Sequence, residues 1–135
     1  MSEAADTANF LRGVNERAAT GSSLELLLDH AGALGGVAGY RTLDAVNRTG
    51  EIGYWLRADF GGRGLMTACC RALVAHGFAA LGLNRIAIAA ATDNAKSRAI
   101  PERLGFRFEG VLRQPEWLYD HFVDHAVYSL LLSER

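Results

Sequence analysis

Neither sign of charge dominates this chain: 14 lysines and arginines stand against 15 acidic residues. No global field favours a nucleic acid or an anionic membrane, so any recognition of phosphate has to be local. Cysteine is scarce as well. The two present, Cys69 and Cys70, are chain neighbours, which makes a mutual bridge implausible and gives no metal-ligand spacing. They read as small core or helix-surface residues in a reducing compartment. An uninterrupted apolar run of about 18 residues is missing, which excludes a transmembrane helix. The opening Met1-Ser2-Glu3-Ala4-Ala5-Asp6 lacks the basic start and apolar core of a secretory signal, and the expected location is the cytoplasm. Repeats, low-complexity tracts and linkers are also lacking, so residues 1–135 read as a single domain.

What is present is a half-apolar chain, able to bury roughly two thirds of its unfolded surface. Phe10, Leu11 and Val14 recur at helical spacing between about Thr7 and Ala19, and Thr20-Gly21 suits a helix end. Ser23 to Asp29 and Gly36 to Leu43 read as an antiparallel hairpin across the turn-rich His30 to Gly35. Asn47 to Gly50 reads as a second turn, and Glu51 to Leu56 as a third strand with Ile52, Tyr54 and Leu56 on one face and Gly53 and Trp55 on the other. Leu65 to Ala80 places Met66, Cys70, Leu73 and Gly77 on one helical stripe, with Gly82 as a stop. Asn84 to Thr92 is nearly continuous in apolar residues, as a central strand covered on both faces would be. A right-handed crossover makes it parallel to the Glu51 strand. Asp93-Asn94 caps a second helix, Ala95 to Leu104, which closes at Gly105. Two strands, Arg107 to about Arg113 and Phe122 to Leu132, finish the chain around a loop from Gln114 to His121. The order predicts an α/β sandwich in which helices cover both faces of a mixed, partly parallel sheet.

Between the third strand and its helix lies Gly61-Gly62-Arg63-Gly64-Leu65-Met66. A strand, a turn of bare backbone and a helix N-terminus aim amide N–H groups and the positive end of a helix dipole at one spot, which is a place for an anion, most plausibly a phosphate. Glycine permits positive φ there and lets a ligand approach the main chain. A plain turn uses the same residues. Arg63 either adds charge to a phosphate or faces solvent.

Taken together, Gly50-Glu51-Ile52-Gly53-Tyr54-Trp55-Leu56, the glycine loop, Asn84-Arg85-Ile86, Asn94 to Ile100 and Leu104-Gly105-Phe106-Arg107-Phe108-Glu109-Gly110 resemble the GCN5-related N-acetyltransferases, in their ribosomal-protein N-terminal acetyltransferase (RimJ/RimL-like) branch. The resemblance covers most of the chain. It implies a GNAT-type sheet flanked by helices and acetyl-CoA as co-substrate without a metal. Its pyrophosphate is then held by Gly61, Gly62, Arg63, Gly64, Leu65 and Met66, and its pantetheine arm pairs with the strand at Tyr54, Trp55 and Leu56. Asp59 stands where the family usually has Gln or Arg. Related proteins also carry a first strand and helix ahead of the segment that opens this chain, so the sequence reads as shortened on the acceptor side. A second copy in a homodimer could supply that wall, or the chain could be an acyl-CoA-binding module without activity.

Acetyl transfer to an amine needs a base for the ammonium, a donor to the developing oxyanion and a proton for the departing thiolate. The resemblance implies Glu116 as base, with Asp120 and His121 in reserve, and Ser97, with Asn94 beside it on the first turn of its helix, as the group that serves the sulfur. Other superfamily members place a tyrosine four residues beyond Ser97, where this chain has Pro101. Proline cannot donate to the Ser97 carbonyl and should bend the helix. The oxyanion donor is expected among backbone N–H groups near Tyr54 to Leu56. Arg98 has the same two readings as Arg63. Trp55 and Trp117 either line an acceptor cleft or pack at an edge. His121 and His125 lack a third metal ligand at sensible spacing, His30 and His76 carry no pattern, and no basic-aromatic patch points to nucleic acid. The expected partner is a primary amine: a protein N-terminus, a peptide or a small molecule.

Overall fold

The computed structural model describes residues 24–30, 33–56 and 64–135. In these segments lie the strands β1 (Leu24–His30), β2 (Ala33–Asp44), β3 (Thr49–Leu56), β4 (Arg85–Ala91), β5 (Arg107–Leu118) and β6 (His121–Leu131). Two helices, α1 (Leu65–Ala79) and α2 (Ala95–Arg103), interrupt them, and a short 3-10 turn at Leu132–Glu134 follows. The strands form one sheet of order β1-β2-β3-β4-β6-β5. All neighbours are antiparallel except β3 and β4, which the α1 crossover makes parallel, as the strand, loop, helix, strand pattern predicts. The expected helix over Thr7 to Ala19 falls outside the described residues.

Each junction has a local cause. Asp44 Oδ1 accepts from the N–H groups of Val46 and Asn47 at 3.0 and 2.9 Å, closing the β2–β3 turn. That turn sits earlier than expected: Thr49 and Gly50 already belong to β3. Gly50 serves packing there, since a Cβ would lie 2.9 Å from side-chain atoms of Leu83 and Tyr40. Gly82 and Gly105, with φ of 68° and 82°, follow α1 and α2 in the left-handed conformation that favours glycine.

Both described helices pack on the same face of the sheet. Tyr40 of β2 donates to the Leu73 carbonyl of α1 at 2.7 Å, and Arg98 of α2 donates to the Tyr128 hydroxyl of β6 at 3.0 Å. Ile52, Ile86, Ile88, Ala126 and Tyr128 point to this face and form the core with Leu65, Met66, Cys69, Cys70 and Leu73. Both thiols are buried and free; burial pushes Cys69 up to about 12 and Cys70 well above its ordinary range. On the other face of β4, Ala87, Ala89 and Ala91 are half-buried, while the described helices cover the isoleucine side.

The larger departure is at the C-terminal hairpin. The segment Gln114 to His121, expected as a loop, is mostly strand, with β5 continuing to Leu118 and β6 starting at His121. Two register shifts, between Phe108 and Gly110 and between Leu112 and Glu116, let the hairpin absorb residues that do not fit a regular ladder. Gln114 has φ 54° and its N–H leaves the ladder to donate to Asp124 Oδ1 at 2.8 Å. Pro115 is tolerated because β5 is the outermost strand, where a missing N–H breaks no second ladder. Tyr119, at φ 59°, and Asp120 alone make the turn.

Candidate functional site

The parallel pair β3–β4 is registered only from Thr49 against Arg85 to Ile52 against Ile88. Beyond that point both strands continue, β3 to Leu56 and β4 to Ala91, without pairing to each other. Gly53 to Leu56 remain paired with β2 on their other side, so the strand is held while its β4-facing backbone groups have no ladder partner on β4. This opening lies at the carboxyl ends of the two parallel strands, where ligands gather in sheets of this type. The expectation that an oxyanion donor becomes available near Tyr54 to Leu56 rests on this kind of separation.

Both helices start at the same end of the sheet, since each is the next described element after one strand of the parallel pair. Gly64, at φ 69°, is the N-cap of α1 and has no side chain to cap it. The first intrahelical bond runs from Ala68 N–H to the Gly64 carbonyl at 3.1 Å. The N–H groups of Leu65, Met66 and Thr67 therefore precede the helical ladder, and the first turn carries no acidic residue. Leu65 and Met66 are themselves buried, their side chains part of the core. Gly61, Gly62 and Arg63, together with Asp59, lie outside the described residues.

On α2, Asn94 is the N-cap and its Oδ1 accepts from the Ser97 N–H at 3.1 Å. Ser97 is half-buried, on the helix-bearing side of the sheet. Tyr54 reaches the same place from β3: its hydroxyl donates to the Ser97 carbonyl at 2.7 Å. Arg98 is neither a free cation nor solvent-facing. It donates to the Thr92 carbonyl at 2.9 Å and to Tyr128, and its guanidinium lies over the Phe108 ring.

Glu116 occupies the opposite face. It sits on β5 opposite Val123, and its Oε1 is 2.9 Å from His125 Nε2 on β6. His125 in turn pairs with Ala91, the last residue of β4, so the Glu116–His125 pair stands at the same end of the sheet as the opening between β3 and β4. Trp55, next to Tyr54 in an alternating strand, points to this face and is 55% exposed. Trp117 points to the other, packed edge-on against Phe122 with ring centroids 4.9 Å apart. Asp120 and His121 bond to each other at 2.7 Å at the exposed tip of the hairpin.

The pairing of His125 with Glu116 had no local signal in the sequence. It depends on the bulge between Leu112 and Glu116, which sets the register. The Tyr54 contact had half a signal, since Pro101 marks the Ser97 carbonyl as lacking its helical donor, but nothing in the chain says which group supplies a replacement.

The profile of a family described as "Acetyltransferase (GNAT) domain" matches residues 2–107. A Bacillus subtilis protein provisionally named ribosomal N-acetyltransferase YdaF is 45% identical over 113 residues, covering 84% of this chain and 62% of its own length. A crystal structure provisionally named as an acetyltransferase superposes with a TM-score of 0.83 at 41% identity, covering 95% of this chain and 70% of that one. Mycobacterium smegmatis RimJ, solved in complex with a CoA-disulfide, superposes with a TM-score of 0.79 at 26% identity, covering 94% of this chain and 61% of that one. The chain spans 54–62% of the length of the curated relatives it matches.

Proposed function

The chain belongs to the GNAT acetyltransferase family, and from that premise we propose that it is an N-acetyltransferase moving the acetyl group of acetyl-CoA to a primary amine by direct attack. We read residues 1–135 as one acetyltransferase domain working in the cytoplasm. The observation that carries the proposal is the opening between β3 and β4 beyond Ile52 and Ile88, with Ser97 on one face of the sheet and Glu116 on the other. Strand backbone that has parted from β4 there fits the amide-bearing arm of CoA, and the start of α1, which has no side-chain cap, fits its pyrophosphate. In this reading the backbone of Tyr54, Trp55 and Leu56 lines the arm. Gly61, Gly62, Arg63, Gly64, Leu65 and Met66 surround the phosphates, and Asn94 shapes the first turn of α2.

The acceptor amine then approaches from the face that carries Glu116, Trp55 and His125. Glu116 takes a proton from the ammonium, directly or through one water, and the neutral amine attacks the thioester carbon. A backbone N–H of the open β3 segment receives the charge that develops on oxygen. As the carbon–sulfur bond breaks, the Ser97 hydroxyl hydrogen-bonds the departing sulfur and relays to it the proton that the attacking nitrogen sheds on becoming an amide, so that the serine ends protonated as it began. His125 holds the Glu116 carboxylate in one orientation. The acceptor we favour is a protein N-terminus, because the Bacillus relative bears a ribosomal N-acetyltransferase name; a peptide or small amine is the next choice.

The test is release of free CoA thiol from acetyl-CoA in the presence of amines and of peptides with free N-termini. Amine-dependent release is expected, with peptides preferred. Binding of acetyl-CoA with no amine-dependent release would overturn the enzymatic reading and favour an acyl-CoA-binding module.

A further inference from the structure

Helix α2 contains a proline where a helix least tolerates one. Pro101 lies in its interior, four residues after Ser97, and has no N–H to give the Ser97 carbonyl. A carbonyl losing its helical donor in a half-buried setting needs another partner. Tyr54 is that partner, at 2.7 Å and 43 residues away in the chain. It stands on β3 two residues past Ile52, inside the segment that has parted from β4. The Ser97 N–H is already held by Asn94 Oδ1. Both main-chain polar groups of Ser97 are thus fixed, one by the helix cap and one by the open strand. Burial raises the Tyr54 hydroxyl above the ordinary phenol range, so it stays a protonated donor through neutral pH.

We infer that Tyr54 is a positioning residue: its hydroxyl takes the place of the helical donor that Pro101 cannot provide, and so ties the first turn of α2 to the open end of β3 and sets Ser97 at the opening. The inference rests on the reading of Ser97 as the group that serves the sulfur. It makes Tyr54 and Pro101 a matched pair. With an ordinary residue at 101, Ser97 is held by its own helix and the tyrosine hydroxyl becomes dispensable.

The experiment is a four-protein cycle: the wild type, Tyr54→Phe, Pro101→Ala, and both together. Two readouts are needed, kcat with KM for acetyl-CoA, and native-state hydrogen exchange of the amides of Lys96 to Arg98. Tyr54→Phe is expected to lower kcat about tenfold, as small misplacements of a reacting group do, with KM changed less than about threefold. Exchange in the first turn of α2 should quicken in parallel. In the Pro101→Ala background the same Tyr54→Phe change should cost less than about threefold and leave exchange nearly unaltered. Equal losses in the two backgrounds, or no effect on exchange in either, would overturn the pairing. Exchange that couples while kcat does not would sink the positioning role. Ser97→Ala separates this from the reading beneath it: unchanged turnover would remove Ser97 from the chemistry while leaving the exchange cycle to stand or fall by itself.

Discussion

A carboxylate that is to take a proton from an amine must point at it, and an exposed glutamate on an edge strand has three side-chain torsions with which to point elsewhere. Glu116 is 47% exposed, whereas its partner His125 is 15% exposed and seated in the neighbouring strand. The imidazole is therefore the fixed member and the carboxylate the guided one. Glu116→Gln keeps the shape and the bond to His125 but removes the base; kcat is expected to fall roughly 100-fold or more, with affinity for acetyl-CoA nearly unchanged. His125→Ala keeps the base and removes its guide, so a smaller fall of about tenfold is expected, together with an altered pH–rate profile. Steady-state kinetics across pH 6 to 9 checks both. A larger loss in His125→Ala than in Glu116→Gln would reverse the assignment of base and guide.

At the scale of elements, the seat of α1 on the sheet turns on Gly77 and Tyr40. The buried Tyr40 hydroxyl occupies the space a Cβ at position 77 would need, and Ile86 closes in from the sheet at 3.0 Å. Gly77→Ala is expected to destabilise the fold by about 1–3 kcal/mol through overpacking. Adding Tyr40→Phe frees the space and should recover part of that loss, a non-additivity measurable by chemical denaturation. The stripe holding Gly77 was legible as a helical repeat with Met66, Cys70 and Leu73, and the β3–α1–β4 crossover followed from patterning alone. The caps at Asn94 and Gly105 were equally legible, because a cap is made within a few residues of where it is read. What the sequence hid was non-local. The extension of β5 through Pro115 to Leu118 depends on its being an edge strand, and a single chain read in order does not state which strand lies outermost. The Glu116–His125 and Tyr54–Ser97 contacts are hidden for the same reason: each joins elements whose register is set by their neighbours.

For the whole molecule, the sheet has a weak seam and a tie. The seam is the parting of β3 from β4, which the proposed function requires to be open at one end. The tie lies toward the other end, where Arg85 of β4 makes two bonds to Glu109 of β5 at 2.7 and 2.6 Å, reaching past β6. The buried Ser129 on β6 donates to the same carboxylate at 2.8 Å. One glutamate thus joins three strands. The Arg85 and Ser129 hydrogen bonds hold Glu109 down at about 2, below its ordinary value of 4.5. A carboxylate depressed in the folded state contributes stability that is fully present above the unfolded value and is lost as pH falls toward the folded one. Stability from this tie should therefore hold above about pH 5 and drain away between about pH 5 and 2. Arg85 and Glu109 side chains are 34% and 38% exposed, so solvent screening reduces the contribution to about 1 kcal/mol. Glu109→Gln should lower stability at pH 7 and lessen its further decline on acidification, so that the two proteins converge near pH 2. Urea unfolding at a series of pH values checks this, and a constant gap between wild type and variant from pH 7 to pH 2 would show that the charge on Glu109 does not carry the tie.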